Sequence, residues 1–376
     1  MPRTIVDIHV LQTVPPSNLN RDDTGSPKSA RYGGVVRARV SSQAWKRATR
    51  TAFDGVLDRS ELGVRTKRLV ELVGDEITAQ ESALEDRAAA LAKDVLTATG
   101  LKIALPKGKK DVPEEAGYLV FLSHRQVTGL AELAVAAARE AGDGPVTIAK
   151  NDAKARADTE HSVDVALFGR MVAEVTDLNV DAAAQVAHAL SVHAVENEYD
   201  YFTAVDDHKK ADADEDAGAG MIGTVEFNSS TLYRYATVDV DRLRENLGDA
   251  KATCRAVEAF ARAFVMSMPT GKQNTFANRT LPDAVLIVLR ETQSINLVGA
   301  FEDPVGEREP GGRVPAAIAR LARHAVEVQE AFAETPVATW TFGPGERLAP
   351  LAELARRGDV DSTMAALGEA VAARLP

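Results

Sequence analysis

A cluster of five cations within fifteen residues is the strongest chemical signal in this sequence. It lies in "VRARVSSQAWKRATR", residues 36–50 of a chain whose formal net charge is −11. The five cations are Arg37, Arg39, Lys46, Arg47 and Arg50. Clustered cations beside hydroxyl and amide side chains are the groups with which proteins bind phosphate. The stretch therefore indicates either an anion-binding surface or a basic face that is merely solvated.

A helix from about Ser42 to Leu57 would present part of this cluster as one face. At 3.6 residues per turn, one side of the helix carries Gln43, Lys46 and Arg50. The opposite side is expected to pack on a sheet, and it consists of Trp45, Ala48, Ala52 and Val56. Ser41 or Ser42 can cap the helix, and the free N–H groups of a helix start attract anions. Phosphate is the natural ligand of such a surface.

Two loops carry further polar and basic side chains that would extend this surface if they lie beside the helix. The first is rich in Asn, Asp, Ser, Gly and Pro, and it contains Arg21 and Lys28. The second, "PTGKQNTFANRTLP" at 269–282, contains Lys272 and Gln273. Positive charge on several neighbouring segments would follow a polyanion backbone with little reading of bases.

Charge is segregated along the chain. The first 50 residues hold nine Lys and Arg and three acids, a net charge of +6, so the other 326 residues carry −17. The overall acidity argues against non-specific nucleic-acid binding by the whole surface, but not against a local basic stripe.

Length and composition indicate a soluble, cytoplasmic protein without a cofactor. The 376 residues, 45% of them hydrophobic, suffice for one large domain with insertions or for two domains. The N-terminal "MPRTIVDIHV" lacks the features of a signal peptide, and the apolar run "AVLIVL" at 284–289 is too short to span a membrane. The single cysteine, Cys254, excludes an internal disulfide and a cysteine-rich zinc site. No Walker loop or dinucleotide fingerprint follows a predicted strand.

Groups suited to catalysis or metal binding are sparse. None of the seven histidines forms a zinc-type pair with an acid or a cysteine. None lies in the basic stretch, where a nuclease would need a general base. Asp22 and Asp23 follow Arg21, and they are expected to pair with it or to contact a neighbouring subunit. We therefore predict no catalytic residue and no metal site.

Periodicity and turn residues divide the chain into a core with two insertions. Core strands are predicted over 4–14 (ended by Pro15 and Pro16), 35–40, 162–172 and a segment ending at 290. Core helices are predicted over 42–57, 181–195 and 250–266, and two more helices close the chain. The insertions are a helical region from about 60 to 160 and a strand hairpin at 196–237, whose Ala/Asp/Gly-rich tip is expected to be mobile. This order favours an α+β fold with a ferredoxin-like sheet.

The same residues resemble those of a known family. The segments "DIHVL", "SNLNRDD", "RARVSSQAWKRATR", "ALFGRM", "YFTAVDD", "YRYA" and "GKQNTFA" follow one another across most of the chain. Together they resemble the backbone (CasC-type) subunit of the type I-E CRISPR surveillance complex, Cascade. The resemblance implies an RRM-like (ferredoxin-like) palm, a helical fingers insertion and a β-hairpin thumb. The implied boundaries are 1–59, 162–195 and 238–376 for the palm, 60–161 for the fingers and 196–237 for the thumb.

The resemblance also implies roles for individual residues. Guide-RNA phosphates are expected on a set of palm residues: Ser41, Gln43, Lys46 and Arg50, with support from Arg21, Lys28, Lys272 and Gln273. Met171, Phe202 and Thr203 are expected at a displaced nucleotide, where an apolar wedge offsets the cost of unstacking. From the residues alone, Met171 and Phe202 fit ordinary core packing equally well. Target DNA is expected on lysines of the fingers, for which a solvated loop is an equal alternative: Lys107, Lys109, Lys110, Lys150 and Lys154.

The function predicted in this way is structural. The chain would be a non-catalytic subunit that polymerises head to tail along the guide RNA, beside other Cascade subunits, and presents that RNA for pairing with invader DNA. Two enzyme alternatives remain open: an RRM-fold endoribonuclease that processes guide precursors, and a metabolic α+β enzyme that binds a small phosphate compound. Related subunits of type III complexes cut RNA with a loop aspartate, so a nuclease here would use Asp22 or Asp23.

Overall fold

The computed structural model describes residues 3–108, 112–142, 144–204 and 221–375. The β-strands in these ranges are β1 Ile5–Ser17, β2 Ser29–Tyr32, β3 Val35–Val40, β4 Gly63–Thr66, β5 Ile103–Ala104, β6 Glu115–Ala116, β7 Val120–Ser123, β8 Ala184–Val186, β9 Ala189–Ser191, β10 Glu198–Ala204, β11 Met221–Asp239, β12 Ala284–Arg290, β13 Ala338–Phe342 and β14 Arg356–Arg357. The α-helices are α1 Ser42–Ala52, α2 Leu69–Gln80, α3 Ala88–Ala98, α4 His124–Ala141, α5 Lys150–Ala157, α6 Val163–Phe168, α7 Val240–Leu247, α8 Ala250–Met266, α9 Gln273–Phe276, α10 Arg313–Phe332, α11 Ala349–Ala352 and α12 Val360–Ala372. The predicted α+β class is confirmed.

The chain divides into two compact units, and the first is built on a mixed sheet. This unit comprises Met1–Ala52, Val186–Thr237 and Phe260–Ala370. The strand order is β14-β13-β12-β1-β11-β9-β3-β2, and β8 and β10 also pair with β11. β1 and β12 are antiparallel, with Ile5 opposite Arg290 and Leu11 opposite Ala284. All seven residues of β12 are buried, so the apolar run of the sequence forms a strand with both faces covered.

Alternate residues of β11 pack on different helices, because successive side chains of a strand point to opposite faces. Tyr233 joins an apolar cluster with Ile318 of α10. The next residue, Arg234, points to the other face, where its guanidinium lies 3.7 Å from the ring centroid of Trp45 in α1 and 4.6 Å from that of Phe264 in α8. Helix α1 therefore lies on the same face as the C-terminal end of α8 and on the opposite face from α10.

The second unit is mainly helical. It comprises Phe53–Gln185, Val238–Ala259 and Val371–Pro376. Helices α2 to α5 share an apolar core of Leu, Val, Ile and Ala side chains, and the strand pairs β4–β7 and β5–β6 complete the region. The helical character predicted for residues 60–160 is thus observed. Across the described residues, none of the helices combines the length and apolarity that crossing a membrane requires.

Residues 162–172 form a helix rather than the predicted strand. Helix α6 ends at Phe168, and Gly169 follows with a φ of +78°. The buried carboxylate of Asp164 accepts the N–H of Gly63 at 2.9 Å. The V-D-V alternation fits a strand, but these tertiary contacts favour the helix, because strand propensity depends strongly on context.

Residues 181–195 form strands β8 and β9 rather than the predicted helix. Leu190 pairs with Arg39 on one side and with Tyr233 on the other. A position between two strands satisfies the backbone of β9 on both edges, and this outweighs the helix propensity of its alanines.

Smaller differences concern element ends. Strand β1 continues through Pro15 and Pro16 to Ser17, although the prolines were predicted to end it. Helix α1 ends at Ala52, before the predicted Leu57, and a 3-10 turn follows. Strand β13, which pairs with β12, and helix α9, inside the predicted loop 269–282, were not predicted. The predicted mobile hairpin tip lies largely outside the described residues.

Candidate nucleic-acid interface

The start of α1 is built by the serine and asparagine side chains that precede it. Ser41 caps the helix, since its Oγ accepts the N–H of Ala44 at 3.3 Å. The N–H of Ser41 donates to Oδ1 of Asn20 at 2.8 Å, which joins the helix start to the preceding loop. Ser41 is buried, so its hydroxyl shapes the site from below the surface.

Helix α1 presents its basic face largely as predicted. Trp45 is fully buried, Gln43 is exposed, and Lys46 and Arg50 are half-buried. Burial lowers the pKa of Lys46, which places its ammonium partly in low-dielectric surroundings.

The opposite face of α1 differs from the prediction. Thr49 is buried together with Trp45, whereas Ala48 and Ala52 are only half-buried. Val56, beyond the end of the helix, is 41% exposed instead of packed on the sheet.

The loop before β2 holds its cations beside this helix. The N–H of Lys28 donates to the carbonyl of Asn20 at 2.9 Å, and the carbonyl of Lys28 accepts the N–H of Arg39 at 2.9 Å. Arg21 is exposed and forms a backbone bridge with Pro27. This loop is therefore fixed at both ends of its basic segment.

Asp22 organises this loop. Its Oδ1 accepts the hydroxyl of Thr24 at 2.7 Å, the N–H of Thr24 at 2.9 Å and the N–H of Ser26 at 3.0 Å. These hydrogen bonds, with that of the Thr24 hydroxyl the strongest, lower the pKa of the exposed carboxyl. The carboxylate thus holds a turn, which is a different role from the predicted pairing with Arg21.

The loop after α8 touches the first loop directly. A Cβ at Gly271 would lie 2.1 Å from the carbonyl oxygen of Leu19, so only glycine permits this approach. Next to Gly271, a cavity of about 540 Å³ is lined by residues 19–25. A second cavity, of about 300 Å³, is lined by Lys272, Gln273 and their neighbours. The helix and the first loop thus join through Asn20, and the two loops join through Gly271.

One further residue of this surface, His188, was missed from the sequence. Nδ1 of His188 accepts the N–H of Ser42 and an N–H of Arg39, both at 3.3 Å. Partial burial, and then the charges of Arg39 and Lys28, lower the pKa of His188. No sequence signal marked His188, because it lies in a segment predicted to be helical and about 150 residues from α1.

Arg37 contributes to the fold rather than to the surface. Its side chain is fully buried and donates to backbone carbonyls at 2.8–3.1 Å: those of Tyr32, Ser191, Phe301 and Glu302. Burial lowers the pKa of this guanidinium. One of the five clustered cations is therefore buried and is not available to bind an anion at the surface.

The hairpin of β10 and β11 carries exposed aromatic rings. Phe202 pairs with Gly223, and a Cβ at Gly223 would lie 2.3 Å from the Phe202 ring, so the ring lies over the glycine. Phe202 is 44% exposed and Tyr201 is 75% exposed. The core-packing alternative is thus wrong for Phe202. Thr203 continues the same strand, with Ile222 as its partner.

Met171 belongs to the second unit and is 84% exposed, so core packing is also wrong for this residue. Its neighbours Arg170 and Val172 are both buried. The guanidinium of Arg170 donates to Asp158 at 3.1 Å, and the N–H of Val172 donates to Asn179 at 2.6 Å. An exposed apolar side chain is thus held between two anchored residues.

The lysines predicted to contact DNA divide into three groups. Lys107 and Lys150 are exposed. Lys154 forms an ion pair with Asp177 at 2.7 Å, which offsets part of its charge. Lys109 and Lys110 lie outside the described residues.

Groups for acid–base or metal chemistry are not assembled within the described part of the chain. No group of three His, Cys, Asp or Glu side chains there has the spacing of a metal site. His188 lies beside the basic helix, but its Nδ1 already accepts two N–H groups. The proton of the neutral ring therefore sits on Nε2, so that atom is a donor and is poorly suited to act as a general base.

Similarity to known proteins extends over nearly the whole chain. Residues 6–370 match the model of a family described as CT1975-like protein. A chain from the solved structure "CRISPR RNA-guided surveillance complex, pre-nicking" is 36% identical, with 96% of this chain and 100% of that chain covered and a TM-score of 0.81. Another, from "CRISPR RNA-guided surveillance complex", is 31% identical, with 96% and 99% covered and a TM-score of 0.71. A search of curated protein sequences gave no match.

Proposed function

Because the chain belongs to the CT1975-like family of Cas proteins, we propose that it is a non-catalytic backbone subunit that binds a CRISPR guide RNA. Copies would polymerise head to tail along the RNA, beside other Cascade subunits, and present it for pairing with invader DNA. The motifs quoted above favour the type I-E complex, and the site of action would be the cytoplasm of a prokaryote. Solved chains with which this one shares 36% and 31% identity come from RNA-guided complexes, which supports the proposal.

One observation carries the proposal: three separate segments that carry basic side chains contact one another in the first unit. They are the face of α1 with Lys46 and Arg50, the loop with Arg21 and Lys28, and the turn with Lys272. The Ser41–Asn20 hydrogen bond connects α1 to the first loop, and the Gly271–Leu19 contact connects the first loop to the turn with Lys272. Phosphates repeat along a strand, so cations on several connected segments suit a polynucleotide better than one small phosphate compound.

The finer architecture is also proposed. The chain order β1-α1-β9-β11-α8-β12, with α1 and the end of α8 on one face, has the pattern of a split βαβ unit and supports an RRM-like palm. The palm would comprise 1–59, 162–195 and 238–376, with fingers at 60–161 and a thumb at 196–237. The exposure of Phe202 and Met171 supports their role at a displaced nucleotide, where each would contact an unstacked base.

Contacts with target DNA are proposed for the lysines of the fingers. Lys150 and Lys107 are exposed and therefore available to a phosphate. Lys154 would have to exchange Asp177 for DNA. Lys150→Gln and Lys107→Gln should weaken DNA capture by the assembled complex without changing its affinity for guide RNA.

Assembly on RNA tests the proposal. The purified chain would be mixed with single-stranded guide RNAs of increasing length at low salt and followed by sedimentation velocity and electron microscopy. We expect particles that lengthen with the RNA, through an interface between two different surfaces of successive copies. A protein that stays monomeric and ignores RNA at low salt would refute both binding and polymerisation.

An endoribonuclease is the second candidate, and the position of His188 beside α1 is the observation in its favour. The tautomer imposed by Ser42 and Arg39 argues against a base at Nε2. Incubating the isolated chain with a precursor hairpin RNA decides the matter: specific cleavage that is lost in His188→Ala would replace the structural role with an enzymatic one.

A further inference from the structure

An acidic side chain lies among the basic segments of the first unit. Glu226, on β11 near the base of the hairpin, is half-buried. A carboxylate close to RNA phosphates lowers affinity by charge repulsion. Its contacts show what it does instead.

Glu226 joins the hairpin to the loop that carries Arg21. Its Oε1 accepts the hydroxyl of Ser26 at 2.9 Å, and its Oε2 accepts the amide of Asn197 at 3.1 Å. The side-chain amide of Asn18 donates to the carbonyl of Glu226 and to that of Gly25, both at 2.9 Å. Three of these hydrogen bonds connect strand β11 to the start of the hairpin and to the loop, and the fourth, from Asn18 to Gly25, closes the loop itself.

The next residue, Phe227, extends this connection to the other basic loop. Its ring centroid lies 5.7 Å from that of Phe276, the last residue of α9, which begins directly after Lys272. The base of the hairpin therefore contacts both loops that carry the predicted phosphate ligands.

We propose that Glu226 is a positioning residue that clamps the hairpin to the loop carrying Arg21 and Lys28, while its neighbour Phe227 contacts the loop carrying Lys272, so that the RNA-binding surface is formed before RNA arrives. This inference rests on the proposed RNA-binding function. Preorganisation increases affinity, because loops that are already ordered lose less conformational freedom on binding. The benefit of the clamp would then exceed the repulsion between Glu226 and phosphate.

The sign of a mutational effect separates the clamp from simple electrostatics. Glu226→Ala removes one negative charge, so electrostatics alone predicts tighter RNA binding. The clamp predicts weaker binding, on the order of tenfold, because two hydrogen bonds to a charged group are lost. Glu198, an exposed acid opposite Phe227 in the same hairpin, provides the matched control, and Glu198→Ala should bind RNA as tightly as the wild type or more tightly.

The experiment measures two properties of the wild type, Glu226→Ala, Glu226→Gln and Glu198→Ala. RNA affinity is determined by fluorescence anisotropy with a single-stranded guide RNA at 0.1 M salt. Glu226→Gln keeps an oxygen for the Ser26 hydroxyl while losing the charge, so it should bind with intermediate affinity. Hydrogen exchange of the RNA-free proteins in the loop 18–27 and in 223–230 should be fastest for Glu226→Ala, intermediate for Glu226→Gln and unchanged for Glu198→Ala.

The outcomes separate the two claims. If the wild type fails to bind RNA, the proposed function falls, and the exchange data still decide whether the clamp exists. If RNA binds but Glu226→Ala matches Glu198→Ala in affinity and in exchange, the clamp is wrong and the proposed function stands. Equal affinities of Glu226→Gln and Glu226→Ala, both tighter than the wild type, would also overturn the clamp.

Discussion

Removing the charge of Lys46 is the most direct perturbation of the basic surface. Lys46 lies on the outward face of α1, whose position is fixed from below by Trp45 stacked on Arg234. Glutamine and lysine have similar helix propensities, so Lys46→Gln removes the charge without disturbing the helix. Arg356, exposed on β14 at the far end of the strand order, offers a control, since Arg356→Gln removes one charge from the same unit.

The size of the effect follows from counterion release. For a single strand, each phosphate contact contributes a slope of about 0.7 to the dependence of log K on log salt. Loss of one contact then weakens binding about fivefold at 0.1 M salt, or about 1 kcal/mol, and the deficit fades toward 1 M salt. Reversal in Lys46→Glu should weaken binding about 25-fold by the same reasoning. The partial burial of Lys46, which lowers its pKa, makes fivefold a minimum, because charge interactions strengthen in low-dielectric surroundings.

Fluorescence anisotropy over 0.05–0.5 M salt measures both the affinity and the slope. Lys46→Gln should reduce the slope by about 0.7, whereas Arg356→Gln should leave it unchanged. Thermal melting checks that each variant is folded. A folded Lys46→Glu that binds RNA and assembles at full strength in moderate salt would show that this face does not contact the RNA.

Three further predictions concern stability. Arg234→Ala should cost about 3–5 kcal/mol in chemical denaturation, because it leaves a cavity beside the buried Trp45 ring and removes the guanidinium that donates to the side-chain amide oxygen of Gln12 at 2.6 Å. Gly271→Ala should cost about 1–3 kcal/mol, because the added methyl group would clash with the backbone of Leu19. The control Gly55→Ala, which has open space around it, should be nearly neutral. Equal melting temperatures of the two variants would contradict the contact between the loops. Burial lowers the pKa of His193 to about 4 in the folded state, so the unfolded state binds a proton at higher pH than the folded state does. The free energy of unfolding should then fall by up to about 3 kcal/mol as the pH drops from 6.5 to 4. This dependence on pH should be shallower in His193→Gln. An equally steep dependence in that variant would contradict the role of His193.

The structure explains why His193 resists protonation. Its Nδ1 lies 2.7 Å from the carbonyl of Ala194, so that nitrogen carries the proton. Its Nε2 accepts the N–H of Thr231 at 3.1 Å and faces Arg313 at the same distance. A second proton, on Nε2, would break the hydrogen bonds that Thr231 and Arg313 donate to this atom and would repel the Arg313 guanidinium, which is why acidification favours unfolding.

The spacing of apolar residues along the sequence correctly predicted those helices and strands in which that spacing alone shows which face is buried. The helix at 42–52, the strands at 35–40 and 284–290 and the two arms of the hairpin were found in this way. Prediction was wrong at 162–172 and 181–195, where short apolar segments fit both periods. There the choice was made by partners distant in sequence: Gly63 for the first segment, and Arg39 and Tyr233 for the second.

The sequence by itself determined the α+β class and the face of α1 that carries Gln43, Lys46 and Arg50, because helical spacing depends only on near neighbours. Only the tertiary structure decided which cations reach that surface. It withdrew Arg37 into a buried set of carbonyls and brought His188 to the helix start. These pairings span from about 150 to more than 260 residues, and they follow from the strand order of the sheet, which no local pattern encodes.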